Sequence, residues 1–127
     1  MSNFTDVKDF MRAFKQTVAD APAFPDNNVV DLRYDLIQEE VFELSEAIDE
    51  MDIVAVADAL TDILYVTYGA AAAFGIDLDA CFKEVHRSNM SKLDANGQPI
   101  YREDGKVMKS ELYSKPNLEP ILFGDTK

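Results

Sequence analysis

Between Tyr34 and Phe82 the chain has no lysine or arginine, yet twelve aspartates and glutamates fall in that interval. The same interval carries apolar residues at helical spacing, so its acids must compete with the core for helix faces. In LIQEEVFELSEAIDE, Leu36, Ile37, Val41, Leu44, Ile48 and the following Met51 recur with a helical period. Advancing 100° per residue from Leu36 puts Ile37, Val41, Leu44 and Ile48 at about 80° to 140°, and Glu40 at about 40°. Glu40 therefore falls inside the apolar arc and Glu43 at its border, while Glu39, Glu46 and Glu50 swing toward solvent. An unpaired carboxylate taken out of water requires a proton or a cation. No basic residue nearby in sequence supplies one.

The next helical stretch repeats the problem. From Ile53 to Phe74 the only charged residues are Asp58 and Asp62, spaced i,i+4 on one side. Like charges at that spacing repel, and aspartate is a poor helix former, so stability does not call for the pair. Antiparallel packing of the two helices, favoured by their short connection, brings Glu40 and Glu43 opposite Asp58 and Asp62. Oxygen-only ligands suit a hard cation, magnesium or manganese, better than zinc or copper. The third helix is apolar nearly all round, which predicts burial on several sides and a homo-oligomer that shares it.

The 127 residues are read as one domain, residues 1–127, with 47% apolar and 28% charged residues excluding wholesale disorder. Periodicity predicts helices over residues 4–19, from an Asn27 or Asn28 cap to about Glu50, over 52–74 with a stop at Gly75, and from an Asp77 cap to Met90. Pro22 and Pro25 separate the first two. After Lys92 the helical period disappears; Pro99–Arg102 and Lys106–Lys109 flank Asp104-Gly105 as a hairpin, and the tail reads as irregular. Net charge −12 argues against unaided nucleic-acid binding. Residues 63–76 lack charge but are too short to span a bilayer, and the first residues lack a signal-peptide core. The single cysteine, Cys81, excludes an intramolecular disulfide, so the expectation is a soluble cytoplasmic protein with neither nucleic-acid nor membrane partner.

Other chemistries lack their residues. The sole histidine, His86, follows Lys83 where a di-iron bundle needs Glu-x-x-His. DANGQPIYREDG has Gly97 misplaced for a calcium loop and Gly105 where the final Glu belongs. One histidine and one cysteine make no hydrolytic triad.

EEVFELSEAI followed by ADALTDILYV resembles the MazG-like all-α nucleoside triphosphate pyrophosphohydrolases, a superfamily that includes phosphoribosyl-ATP pyrophosphohydrolase and the dimeric dUTPases. Its hallmark is Glu-x-x-Glu on one helix and Glu-x-x-Asp on the next. Glu40 and Glu43 match the first half, with Glu39 as an extra preceding acid. The second half departs: position 59 is alanine and the acid sits at Asp58, four before Asp62. HRSNMSKL places Asn89 and Lys92 where the family contacts substrate, and DGKVMK is similar to the tail of small phage and bacterial members. The resemblance implies an all-α, four-helix bundle-like fold with a C-terminal hairpin, working as a homodimer or homotetramer.

It also implies hydrolysis of a nucleoside triphosphate between the α and β phosphates. Magnesium, or manganese, would be held by Glu40, Glu43, Asp58 and Asp62. Glu39 or Glu43 would act on the attacking water, and Asn89, Lys92, Lys106 and Lys109 would hold the substrate. Phosphoribosyl-ATP as substrate is one alternative. Another is a non-catalytic, metal-stabilised helical module that binds a partner.

Overall fold

Ser2 starts the first helix, α1 (Asn3–Ala13), by accepting a hydrogen bond from the Thr5 backbone N–H at 3.2 Å. The computed structural model describes residues 2–124. Phe4, Val7 and Met11, spaced i,i+3,i+7, form the buried face of α1. The helix stops well short of residue 19. Lys15 turns to φ 59°, and its amide and that of Gln16 close back onto Arg12 and Met11. The residues beyond do a different job. Ala19 donates to the Ala72 carbonyl at 2.9 Å and Ala23 to the Phe74 carbonyl at 3.0 Å. Those carbonyls belong to the last turn of a later helix and have no partner within it. Satisfying them takes an extended strip of backbone, which wins over continued helix.

α2 (Asn27–Asp49) and α3 (Ile53–Phe74) form a helical hairpin. The turn between them puts Met51 at φ 55°, and Asp52 then caps α3, its Oδ1 accepting from the amides of Val54 and Ala55, both at 3.1 Å. At its other end α3 closes on Gly75 at φ 71°, with the Gly75 and Ile76 amides returned to Ala72 and Ala71. α3 is long and apolar enough to cross a membrane by length and composition, with Asp58 and Asp62 inside that span.

The core joins Phe4, Val7 and Met11 of α1 to Ala71, Ala72 and Ala73 of α3, flanked by Val18, Val29, Tyr68, Ile76 and Leu78. Small residues on α3 let α1 approach closely. Gly69 leaves room for the buried Arg33 guanidinium, which donates to Gln16 Oε1 at 3.1 Å and whose pKa burial pushes down.

Two expectations about burial need correction. On α2 only part of the apolar arc is covered: Leu36, Ile37 and Leu44 are half-buried and Ala47 beside the arc is buried, while Val41, Ile48 and Met51 are 50%, 57% and 90% exposed. Along α3, only Ala59, Gly69 and Ala71 to Ala73 are buried among the described residues, while Ile53, Val54 and Leu60 are exposed. Alanine meeting alanine brings the α2 and α3 backbones close. Larger apolar side chains are then left outside the hairpin.

The chain divides into two compact units at Leu78/Asp79. In the second, α4 (Leu78–Met90) leads to a two-stranded antiparallel ribbon, β1 (Ile100–Tyr101) and β2 (Val107–Met108), with Ile100 opposite Met108. The turn lies at the expected Asp104-Gly105. The tail is held by side chains. Arg87 grips Glu84 with two bonds of 2.9 and 2.8 Å and donates to the Lys115 carbonyl at 3.2 Å. Glu84 also accepts from the Asn117 amide at 2.8 Å, and these bonds hold its carboxyl down to about 2. A short helix, α5 (Glu119–Phe123), interrupts the otherwise irregular tail. The fold is all-α with a small C-terminal hairpin, as expected.

Candidate active site

The close α2–α3 approach creates a cleft of about 200 Å³ whose floor is alanine and whose walls are acid. Glu43, Glu46 and Glu50 come from α2, Asp58 and Asp62 from α3, and Ala47, Ala55 and Ala59 lie between them. Among the described residues, no basic side chain lines it.

Glu40 sits beside this cleft, half-buried. Its Oε1 is buried with no hydrogen-bond partner among the described residues. The Glu40 pKa is pushed up to about 7, first by hydrogen bonding with the Glu43 carboxyl, then by burial, then by the charges of Glu43, Asp62 and Asp58. Asp62 is raised as well, first by burial and then by repulsion from Asp58 and Glu43. The four acids proposed as ligands are thus in one electrostatic neighbourhood. They are not a closed cage: among the described residues, no three acidic, histidine or cysteine side chains could hold a metal ion. Magnesium does not ask for a cage, because it keeps several waters and is commonly held by one or two carboxylates together with substrate phosphates. An open cleft of oxygen donors with a donorless Glu40 oxygen fits such an ion.

Other residues proposed from sequence are not among those that line the cleft. Glu39 is exposed and is not among the residues lining the cleft. Asn89, Lys92, Lys106 and Lys109 belong to the second unit. There Lys109 lies over the Tyr113 ring at 4.7 Å. Glu46 and Glu50 are exposed, as their place off the apolar arc implies, and they also line the open cleft. A signal for them existed: Glu43, Glu46, Ala47 and Glu50 are spaced i,i+3,i+4,i+7 and so form a helical stripe of their own.

The raised Glu40 pKa has a consequence for stability. The group titrates near 4.5 in the unfolded chain and near 7 in the fold, so the folded state holds more proton between those values. Its contribution is full below about 4.5 and lost as pH rises through about 7. Glu84, whose pKa is lowered, acts in the opposite sense and in a lower window, losing its contribution as pH falls below 4.5. Melting temperature in chelator is expected to fall from about pH 5 to about pH 8 more steeply for the wild type than for Glu40→Gln. Equal slopes would mean that the Glu40 carboxyl is not perturbed.

The helical hairpin and its one-signed cleft define a class: an all-α protein with an open acidic cleft between two helices. A sequence model of the phosphoribosyl-ATP pyrophosphohydrolase family matches residues 7–89, which include every acid of the cleft. The chain belongs to that family, within the MazG-like all-α nucleoside triphosphate pyrophosphohydrolase superfamily. The match stops short of Lys92, Lys106 and Lys109. The chain is also similar to an uncharacterized protein of Acanthamoeba polyphaga mimivirus, L479, with 36% identity over 113 residues, covering 86% of this chain and 43% of that protein. It therefore spans less than half of that relative's length. A crystal structure from Exiguobacterium sp. 255-15, provisionally described as an NTP pyrophosphohydrolase, aligns at 30% identity with a TM-score of 0.49, over 91% of this chain and 89% of the other.

Proposed function

We propose that the chain hydrolyses a nucleoside triphosphate between its α and β phosphates, with magnesium, to a nucleoside monophosphate and pyrophosphate. The observation that carries this reading is the unneutralised acid cleft. Carboxylates that cost stability at neutral pH stand on an open surface, where an anion bridged by a cation can reach them.

Glu40, Glu43, Asp58 and Asp62 would hold the ion, which when bound supplies charge neutralisation of the phosphates and a more acidic water. An acid of the cleft not spent on the ion takes the proton of the attacking water. Glu46 lines the cleft and suits that task better than Glu39. Asn89, Lys92, Lys106 and Lys109 are proposed from sequence for the sugar and phosphates. The test is pyrophosphate release from a panel of canonical and damaged triphosphates with and without magnesium. Phosphoribosyl-ATP belongs in the panel because the family model carries its name. No release from any member would remove the enzymatic reading and leave the metal-stabilised partner-binding module.

We further infer that a second copy of this chain covers the exposed apolar side chains around the α2–α3 turn, giving a homodimer or homotetramer. Phe42, Ile48, Met51, Ile53 and Val54 are all more than half exposed there, an apolar concentration that monomers rarely leave in water. Light scattering should give at least twice the 14.2 kDa chain mass; a monomer would refute it. A cytoplasmic setting suits a chain whose single cysteine is Cys81.

A further inference from the structure

A second cavity, of about 190 Å³, opens between α1 and α3. One wall is Asn3, Asp6 and Val7; the other is Thr61, Leu64, Tyr65 and Tyr68. Its aromatic side is rigid. Tyr68 stacks on Phe4 at 5.7 Å and 22°, and Tyr65 meets Phe10 edge-on at 5.7 Å and 80°. Both rings are thus braced from behind, and neither phenolic hydroxyl makes a hydrogen bond within the described residues. Its polar side is also unspent: the Asn3 carboxamide and the Asp6 carboxylate make no side-chain hydrogen bond or ion pair within the described residues. The Thr61 hydroxyl donates to the Ala57 carbonyl at 2.7 Å, leaving acceptor capacity toward the cavity.

Position relates this cavity to the acid cleft. Asp58, Thr61, Asp62 and Tyr65 are spaced i,i+3,i+4,i+7 on α3 and are neighbours along one ridge of that helix. Asp58 and Asp62 line the cleft, while Thr61 and Tyr65 line the cavity. Tyr65 stands about 4.5 Å along the axis from Asp62 and about 60° round it, so the two sites are separated by roughly the length of a sugar.

We infer that the α1–α3 cavity takes the base of the nucleotide whose phosphates occupy the acid cleft, and that it takes an amino-bearing base in preference to uracil or thymine. This rests on the proposed triphosphate reading for the phosphate end. An aromatic wall gives a stacking platform for any base. Selectivity comes from the edge. A carboxylate only accepts hydrogen bonds, and a carboxamide both gives and accepts, so Asp6 and Asn3 together suit an edge with an exocyclic amine. Uracil offers one donor, N3–H, between two carbonyl oxygens, so a carboxylate that accepts from it sets its second oxygen against an acceptor. An exocyclic amine lies at the end of the edge, with an acceptor on one side only.

Binding is read first without any phosphate. Amide chemical shifts of the wild-type protein are followed during titration with cytidine and then with uridine. Shifts centred on Asn3, Asp6, Tyr65 and Tyr68, saturating at about ten-fold lower cytidine than uridine, are the expected result. Shifts elsewhere, none at all, or equal response to the two nucleosides would overturn the inference, whether or not the protein hydrolyses anything. The second arm is kinetic: the ratio of kcat/KM for CTP over UTP should drop about ten-fold in Asp6→Asn, and an unchanged ratio overturns it too. Loss of all pyrophosphate release by the wild type, with cytidine still binding at these residues, would instead sink the phosphate reading and leave the base site standing.

Discussion

Glu43→Gln is expected to lower kcat for triphosphate hydrolysis by about a hundred-fold or more, with the far-ultraviolet circular dichroism unchanged. Glu43 is the acid on which the site converges. It lines the cleft, is the first cause of the raised Glu40 pKa, and raises the pKa of Asp62. It is also exposed, so removing its charge opens no cavity. A glutamine amide can donate to the Glu40 carboxyl, which satisfies that group without a cation. The fold therefore survives while the site loses a negative ligand. Isothermal titration should show weaker magnesium binding in the same variant. Wild-type turnover by Glu43→Gln would take this residue, and with it the cleft, out of the chemistry.

Gly75→Ala is expected to cost about 3 kcal/mol or more, which for a chain of this size lowers the melting temperature by roughly 10 °C. Two effects add. The residue sits at φ 71°, where a Cβ is disfavoured, and that Cβ would lie 2.1 Å from the Ala21 carbonyl oxygen and 2.5 Å from its carbon. Both obstacles are backbone, and this backbone is fixed nearby by the bonds of Ala19 and Ala23 to the end of α3. The collision cannot be relieved by turning a side chain. Relief means pulling the 15–25 segment off α3, which uncovers the Ala72 and Phe74 carbonyls. An unchanged melting temperature would show that this segment is not seated on the helix end.

These two positions differ in how visible they were beforehand. Glu43 stood out because acids interrupt an apolar helix with no basic residue nearby. That mismatch needs only one-dimensional spacing to be seen, as does the Asp58–Asp62 pair. Gly75 was legible as a helix stop, but the strip of backbone lying over it was not. Residues 15–19 have helical spacing of apolar groups, and their extended course follows from carbonyls some fifty residues away. Glu46 and Glu50 were missed for a related reason. A helical wheel displays every stripe of α2 at once, and the largest apolar stripe was taken for the contact with α3. Ala47 beside that stripe is buried while Val41 and Ile48 of the stripe are exposed, because small side chains allow the nearer approach.

What the sequence by itself determined is the set of local commitments: the Gly75 stop, the Asp104-Gly105 turn, and carboxylates placed without counter-charge among apolar residues, whereas the cap read at Asn27 or Asn28 falls at Asp26. Each follows from interactions within a few positions along the chain. Only the tertiary structure decided which face of α2 meets α3, which acids share the resulting cleft, and where α1 gives way to extended backbone. Those outcomes compare surfaces distant in sequence, and the comparison was won by close alanine packing and by amides reaching the carbonyls at the end of α3.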